Sequence, residues 1–289
     1  MKKAYILLFL LFLIVSVKAG FDPSARGGRA AGLAYGSATS TDFWSVFNNQ
    51  AAMSWDAKFG AGVFFENRYF VKEMSTRGIG LTLPASKSDA FGLSFSQYGY
   101  SAYNETKVGL SYSKSFANKV AAGLQFDYLK TASNNEGGSK GVFTFEFGIQ
   151  SKINKKLMIG FYAFNPIHSI LSDYNGYSEY VPVVLRFGLS YRFSDKFLLQ
   201  VETEKDLHFD PIIRVGGEYQ LNEKFFVRGG LSTGVVQYSI GFGTKWNGFS
   251  FDIASSYHQI LGVTPLISLH YDFSNIFHKK SVPSLEPKV

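Results

Sequence analysis

The chain has 289 residues, which is enough for one large domain or two small ones. It contains no cysteine, and this excludes a disulfide framework, thiol chemistry and a lipid-attachment cysteine. The formal net charge is +7 and falls to +4 without the three lysines of residues 1–19. Because the basic residues form no cluster, a nucleic-acid-binding surface is not indicated.

Residues 1–19 are typical of a secretory signal peptide. Two lysines precede an apolar run over residues 4–17, and Val17 and Ala19 are the small residues of a cleavage site. A membrane anchor is the alternative, but this run is shorter than the roughly 20 residues that a spanning helix needs. We therefore expect a signal peptide that is cut after Ala19.

Residues 20–57 lack the two-residue period of the chain that follows. Thr41 or Asp42 would cap a short helix here. Its apolar face would carry Phe43, Val46 and Phe47. If the strands that follow close into a barrel, we expect this segment to plug the lumen from the periplasmic side; a helix that merely covers the barrel mouth is the alternative. The predicted plug residues are Phe43, Trp44, Phe47, Asn48 and Asn49.

The stretch GVFTFEFGIQ, residues 141–150, shows the period of two that recurs to the end of the barrel segment. Large apolar residues alternate with polar or small ones such as Glu146, so a strand here has one apolar face. We predict fourteen strands from Phe59 onward, mostly of 10–13 residues. Soluble strands usually have about 5–6 residues, whereas a tilted outer-membrane strand needs about 9–11. The predicted strand centres are Val63, Gly80, Leu93, Leu110, Leu124, Phe145, Phe161, Phe187, Leu199, Val215, Val227, Ile240, Phe251 and Leu269.

The two faces of these strands differ in composition. One face is aromatic and aliphatic, and the other carries charged residues, glycine and serine. A β-sandwich would also alternate, but it explains neither the 17% of aromatic residues nor the strand length. We therefore predict an all-β fold, a transmembrane antiparallel β-barrel whose apolar face contacts lipid and whose polar face lines the lumen. The residues predicted to form a charge network in the lumen are Asp127, Glu146, Arg186, Arg192, Glu202, Arg214, Glu218 and Arg228.

Short and long connections alternate along the barrel segment. The compact stretches PASKSDA, FANK, NKK, FSDK, LNEK and WNGF follow even-numbered strands, whereas odd-numbered strands precede longer ones such as NPIHSILSDYNGYSEYVP. Bacterial outer-membrane barrels have short periplasmic turns and longer external loops. The pattern predicts an outer-membrane barrel over residues 58–274 with both termini in the periplasm. Residues 275–289, with two prolines, are expected to form a loose periplasmic tail.

No motif in the sequence indicates catalysis. The five histidines lack the spacing of metal ligands. His258 beside Ser255 and Ser256 is the one combination that suggests a hydrolase, and the signal is weak. The inward carboxylates are better explained as partners of arginines than as an acid–base pair. We predict no enzymatic activity, no cofactor and no metal site, with outer-membrane lipid as a partner and no nucleic acid.

The segment ARGGRAAGLAYGSATSTDFWSVFNNQAAMSW, followed by fourteen strands, resembles the FadL-like outer-membrane superfamily and, within it, the PorV/PorQ group of Bacteroidetes. Ala25-Arg26 through Gly32-Leu33 match the opening segment of these proteins. Gln50 stands where their W-x-x-x-N-P-A-x-L element commonly has proline. The residues that match this element are Trp44, Asn48, Asn49, Ala51 and Met53.

The resemblance implies two different functions. FadL-type members take up hydrophobic compounds through a lateral opening in the barrel wall, behind an N-terminal hatch. PorV-type members associate with the type IX secretion machinery and help to hand cargo to the cell surface. We expect passage of small hydrophobic compounds across the outer membrane, with an accessory role in type IX secretion as the alternative. The corresponding partners are a hydrophobic small molecule or secretion-machinery proteins, and no substrate-binding residue carries over.

Overall fold

A computed structural model describes residues 20–134, 138–174 and 177–273 of the chain. Fourteen antiparallel strands close into a barrel in which chain neighbours pair and the first strand pairs with the last. A separate hairpin of two strands lies in the connection between the seventh and eighth barrel strands. The predicted all-β barrel of fourteen strands is therefore confirmed.

The barrel strands have 8 to 15 residues, and each contains one of the predicted strand centres. The first seven are β1 (Gly60–Asn67), β2 (Ser75–Pro84), β3 (Asp89–Gly99), β4 (Tyr103–Phe116), β5 (Val120–Ser133), β6 (Gly138–Lys152) and β7 (Leu157–Phe164). The hairpin consists of β8 (Ile170–Tyr174) and β9 (Tyr177–Tyr180). The last seven are β10 (Val184–Arg192), β11 (Phe197–Asp206), β12 (Ile212–Gln220), β13 (Phe225–Ser232), β14 (Gln237–Trp246), β15 (Phe249–His258) and β16 (Gly262–Asp272).

Side chains alternate between the outer surface and the lumen along the barrel strands. In β14, Ile240 is 69% exposed on the outside, whereas its neighbour Ser239 is 8% exposed on the inside. In β6, Phe143 is 72% exposed and Glu146 is fully buried. The outer surface is thus an apolar belt. Such a belt is stable in hydrocarbon, and closure of the sheet leaves no strand edge within it.

The two ends of the barrel differ in the length of their connections. At one end, here called the short-turn end, the connections have two to four residues. At the opposite end, the long-loop end, they reach nineteen residues between β7 and β10. The first described residue, Gly20, lies at the long-loop end. The predicted signal peptide and the predicted tail fall on residues 1–19 and 274–289, outside the described residues, and stay predictions. Cleavage after Ala19 would leave the mature N-terminus at the long-loop end, whereas β16 ends at the short-turn end, so this geometry does not support the predicted location of both termini on one side.

Residues 20–59 lie inside the barrel and contain three short helical elements. These are α1 (Gly28–Gly32), α2 (Ser45–Asn48) and a 3₁₀ helix (Gln50–Ser54). The helix expected after Thr41 or Asp42 starts later than predicted and has one turn. Instead of capping it, Asp42 Oδ1 accepts a hydrogen bond from Trp44 N at 2.8 Å, and Phe43 precedes the helix. In the described ranges, no helix has the length and apolar character to cross a bilayer.

The outer face can be tested by placing a charge on it. Ile240→Arg should lower the free energy of unfolding by about 2–4 kcal/mol, because it moves a cation into hydrocarbon. Urea unfolding in phospholipid vesicles measures this loss. As a control, Val235→Arg in the β13–β14 loop, where the side chain is 49% exposed, should change the free energy by less than about 0.5 kcal/mol. Equal losses at the two positions would contradict lipid contact at Ile240.

Candidate functional site: the lumen and its N-terminal segment

The N-terminal segment crosses the lumen and packs against the barrel wall on opposite sides. Helix α1 contacts β13–β16, and the 3₁₀ helix contacts β3–β6. Buried side chains of the segment, such as Leu33 and Val46, are at most 1% exposed. The segment therefore occupies the interior of the barrel along much of its circumference.

Glycines of the wall make room for the backbone of this segment. A Cβ atom added at Gly230 would lie 2.6 Å from Ala34 N, closer than any normal contact. A Cβ atom at Gly160 would overlap the carbonyl oxygen of Ala38, and one at Gly148 would overlap Asn49. Only glycine permits this close approach. The inward-facing glycines therefore stand where the backbone of the N-terminal segment touches the wall.

Backbone groups of the segment are bonded by polar side chains of the wall. Glu202 on β11 accepts hydrogen bonds from Ser37 N at 2.7 Å and Ala38 N at 2.6 Å. Gln150 on β6 donates to Ala38 O at 2.8 Å. These bonds satisfy peptide groups that would otherwise be buried without partners, so they fix the path of residues 37–38.

Glu146, the acid of the Phe-rich strand β6, lies at a junction between wall and segment. Lys107 Nζ on β4 forms an ion pair with Glu146, and Gln50 Nε2 donates a hydrogen bond to the second carboxylate oxygen. Asp127 on β5 lies 3.7 Å from the same ammonium group. Glu146 and Asp127 are both at most 1% exposed. The acid is therefore neutralised in the lumen, while the phenylalanines beside it face outward.

A second group of charges connects α1 to β12–β15. Arg29 donates to Glu218 at 2.8 Å and to Asp42 at 3.1 Å. Burial disfavours the charged form of Arg29, but Glu218 and Asp42 outweigh this effect and raise its pKa. Arg228 donates to Glu218 at 2.7 Å and to Asp252 at 2.6 Å. Acids and bases thus alternate from the segment across the neighbouring strands.

A third group involves β10–β12. Glu204 accepts from Arg186 at 2.7 Å and from Arg214 at 2.5 Å. Arg186 also donates to Pro23 O, and Arg214 donates to Ala34 O at 3.2 Å. Seven of the eight predicted lumen charges therefore lie in these three groups or bind the segment directly. The eighth, Arg192, is exposed at the short-turn end and lies apart from them.

The five predicted plug residues fall into two structural classes. Phe43, Trp44 and Phe47 pack with Phe64 of β1 and His270 of β16, with ring centroids 5.0–6.4 Å apart. The two asparagines make hydrogen bonds instead. Asn48 exchanges two bonds with the backbone of Arg26, and Asn49 donates to Ala38 O at 2.7 Å and to Phe161 O at 3.1 Å.

Among the described residues, the lumen contains a cavity on each side of the N-terminal segment, and these two cavities have no lining residue in common. The cavity toward the short-turn end has a volume of about 730 Å³ and charged walls. The cavity toward the long-loop end, called here the external cavity, has a volume of about 400 Å³. Its apolar walls are formed by Phe21, Phe47, Met74, Tyr162, Phe164 and Phe209.

Polar and charged side chains also line the external cavity, namely Asp22, Ser24, Arg26, Arg68, Thr76, Ser96, Glu105, Lys107 and Asp206. Arg68 is paired with Glu66 at 2.8 Å and with Asp22 at 2.5 Å. Arg26 contributes a buried Nη1 atom that has no hydrogen-bond acceptor among the described residues. Burial lowers the pKa of this guanidinium more than Glu66 and Asp22 raise it. The cavity thus combines apolar, largely aromatic walls with polar and charged groups, as sites for small organic ligands do.

Sequence reasoning missed several residues of this interior. Lys107 and Gln150 have the strand parity of the lumen face, and that parity is the signal that could have found them. Arg26 and Arg29 stand within the quoted N-terminal motif, but the fold alone determines that Arg29 binds Glu218, 189 residues away, and that Arg26 lines the external cavity. In the described part of the chain, no group of three or more potential metal ligands occurs. His258 Nδ1 accepts hydrogen bonds from Ile260 N and Leu261 N, which orders the β15–β16 turn.

Comparison with known proteins identifies the fold. No protein-family profile matches the chain, and no curated protein is significantly similar to it in sequence. A deltaS2S3 mutant of the monoaromatic hydrocarbon channel TodX is similar in structure, with a TM-score of 0.69, 10% identity and coverage of 88% of this chain and 100% of that chain. A FadL homologue from Pseudomonas aeruginosa has a TM-score of 0.66, 15% identity and coverage of 88% and 100%. The toluene transporter TodX from Pseudomonas putida has a TM-score of 0.65, 10% identity and coverage of 87% and 99%.

At these identities the likeness is one of fold. The chain has the fold of FadL-type outer-membrane channels, as the FadL-like resemblance implied. The finer assignment to the PorV/PorQ group stays a prediction.

The fit between wall and segment can be tested at a glycine. Gly160→Val should lower the free energy of unfolding by about 1–3 kcal/mol, because the new side chain overlaps Ala38. It should also raise the ion conductance of single barrels in planar bilayers, since the segment is displaced. Gly229→Val is the matched control, because a Cβ atom there has only one neighbour, Ser239 O at 3.9 Å. If the ion conductance of Gly160→Val barrels equals that of the Gly229→Val control, the segment does not seal the lumen.

Proposed function

We propose that this protein is a bacterial outer-membrane channel for small hydrophobic compounds and has no enzymatic activity. The observation that carries the proposal is the external cavity, a chamber of about 400 Å³ whose walls are partly aromatic and which the N-terminal segment closes on the side of the short turns. Its volume lies within the range of roughly 300–1,000 Å³ that is usual for small-molecule sites. An apolar compound that enters it exchanges water for Phe21, Phe47 and Phe164.

The position of the cavity suits capture from outside the cell. Three residues of the long-loop end contribute to its walls. They are Met74 in the β1–β2 connection, Pro182 in the β7–β10 connection and Phe209 in the β11–β12 connection. We place this end at the cell surface and the short turns in the periplasm, because outer-membrane barrels have that arrangement of connections. The mature C-terminal tail would then be periplasmic.

The plug assignment follows from the same geometry. The N-terminal segment separates the external cavity from the charged cavity at the short-turn end. An open fourteen-stranded lumen would admit water and ions, because it is wider than an eight-stranded barrel whose side chains fill it. In this proposal the plug residues are Phe43, Trp44, Phe47, Asn48 and Asn49. The buried charges hold the plug in place.

The fold likeness supports this function. Two of the similar structures are a monoaromatic hydrocarbon channel and a toluene transporter. We extend passage of hydrophobic compounds to this chain because its cavity has the chemistry that such compounds require.

A second candidate is the accessory role in type IX secretion that the PorV/PorQ resemblance implies. The observation that favours it is the exposure of large apolar side chains in the connections of the long-loop end. Phe70, between β1 and β2, is 70% exposed, and Ile260, between β15 and β16, is 79% exposed. Exposed apolar groups of this kind suit a protein partner at the cell surface. Loss of surface display on deletion of the gene, with normal uptake of toluene, would favour this role over the channel.

Uptake of labelled toluene by cells tests the channel. Complementation of a deletion strain should restore uptake. Ser96→Trp, at a position that lines the external cavity, should lower the initial rate about tenfold, which corresponds to about 1.4 kcal/mol of lost binding. Thr203→Trp, at an exposed position on the outside of β11, is the control and should leave uptake unchanged. Equal uptake by the Ser96→Trp and control variants would reject the external cavity as the binding site.

A further inference from the structure

A polar row crosses the outer face of strands β2–β6 near the long-loop end. On each of these strands the outward side chains are apolar along the middle, and the next outward position toward the long loops is polar or glycine. These positions are register partners, and we call them the boundary row: Arg77, Gln97, Thr106, Lys130 and Gly141. The last apolar positions before them are register partners too: Ile79, Phe95, Val108, Tyr128 and Phe143. The lipid-facing surface therefore ends along one line of the sheet.

Outward-facing charges on the barrel strands differ in sign between the two ends. At the long-loop end, the described strands carry only cations on this face: Arg77, Lys130 and Lys205. At the short-turn end, Lys114 forms an ion pair with Asp89 at 3.1 Å. Neither Arg77 nor Lys130 forms an ion pair within the described ranges. The boundary row is thus cationic, and the described chain supplies no counter-ion for it.

Gln97 orients the guanidinium of Arg77 without neutralising it. Its Oε1 accepts hydrogen bonds from Arg77 Nε at 3.2 Å and from Arg77 Nη2 at 2.5 Å. A glutamate at this position would form a salt bridge, whereas the amide oxygen carries no net charge. The planar fork of a guanidinium matches the oxygens of a phosphate group, with which it forms strong charge-assisted hydrogen bonds. Arg77 is therefore held ready on the outer face for an anion.

Hydroxyl groups accompany the two cations. Thr106 lies between Gln97 and Lys130 in the row, and its side chain can donate to a phosphate oxygen. A Cβ atom added at Gly141 would overlap the hydroxyl of Tyr128, so this hydroxyl lies over the end of the row. The row thus presents guanidinium, hydroxyl and ammonium donors on one side of the barrel.

The position of the row indicates where its ligand comes from. It lies two residues, or about 6.6 Å along each strand, beyond the last apolar side chains. Long basic side chains at such a boundary keep their stems on apolar surface and their charges among the headgroups. Since lipid headgroups carry their negative charge chiefly as phosphate, the row faces phosphate rather than water alone.

We infer that the boundary row binds the phosphate groups of an anionic glycolipid in the outer leaflet, through Arg77 and Lys130, with Thr106 as a donor between them. Three inter-strand intervals of about 4.8 Å separate the two cations. A headgroup with a phosphate at each end of a disaccharide therefore fits them better than a headgroup with one phosphate. From the proposed function the inference takes only the placement of the long-loop end at the cell surface.

Binding of lipid A, a disaccharide lipid with two phosphates, to the purified barrel in detergent tests this site. Titration followed by native mass spectrometry gives the Kd. Arg77→Gln and Lys130→Gln should each raise the Kd about fivefold and the double variant about thirtyfold, because each cation near the surface adds roughly this factor for anionic lipid. Lys114→Gln at the short-turn end is the matched control and should leave the Kd within about twofold. Equal effects of Lys114→Gln and Lys130→Gln overturn the location.

Other ligands separate phosphate recognition from packing of acyl chains. Lipid A without its phosphates should bind the wild type about thirtyfold more weakly, and phosphatidylglycerol, with one phosphate, about fivefold more weakly. Equal binding of lipid A with and without phosphates overturns the inference. Displacement of lipid A by an equal concentration of inorganic phosphate would reveal a site for free phosphate and overturns the lipid as its ligand.

Two variants of Gln97 test the unneutralised charge of Arg77. Gln97→Glu should raise the Kd for lipid A about fivefold, because the new carboxylate pairs with Arg77, whereas Gln97→Met adds no charge and should raise it less than about twofold. Wild-type affinity in Gln97→Glu means that Arg77 is not a phosphate ligand.

Unchanged urea midpoints in phosphatidylcholine vesicles show that all these variants are folded. Toluene uptake by the Arg77→Gln/Lys130→Gln variant is measured separately and should equal that of the wild type. A failure of lipid A binding and a failure of the proposed channel are therefore seen in different experiments.

Discussion

Hydrocarbon cannot hydrogen-bond to a peptide group, and this constraint determines the rest of the structure. Each backbone N–H and C=O of the fourteen strands must find a partner within the sheet, so the sheet closes on itself and β1 pairs with β16. Alternation along each strand then sends side chains such as Ile240 into lipid and their neighbours inward. Charged groups in the middle of the strands face the lumen, because exposure to lipid at mid-membrane costs about 2–4 kcal/mol, and outward-facing charges such as Lys114 and Lys130 lie near strand ends.

Closure with fourteen strands creates an interior that wall side chains alone do not fill. The chain fills it with its own N-terminal segment, and two kinds of wall residue make this possible. Glycines such as Gly160 and Gly230 remove bulk where the segment's backbone approaches, and charged or amide side chains such as Glu202 bond its peptide groups. Buried ion pairs add little net stability, because desolvation offsets their attraction. Their contribution here is to specify one position for the segment, since any other would leave buried charges without partners.

The sequence predicts the strands well because their period of two is imposed locally by lipid on one side and the lumen on the other. It predicts the lumen charges for the same reason, and strand parity alone would have added Lys107. It does not predict which charges meet: Glu146 on β6 reaches Lys107 on β4, past β5, and Gln50 in the segment. Such contacts depend on barrel closure and on the path of the segment. The hairpin β8–β9 was also missed. It lies in a connection outside the barrel wall, where lipid and lumen do not impose a period of two on the sequence.

The N-terminal segment is held in the lumen by many buried polar contacts at once. Moving the segment would separate Arg29 from Glu218, Glu202 from two backbone N–H groups and Gln50 from Glu146 in one step, and each separation leaves buried polar groups without partners. These contacts involve strands on different sides of the barrel, so no single one can be released without straining the others. The segment is therefore fixed in one position by the number and the distribution of its polar partners, more than by the strength of any one of them.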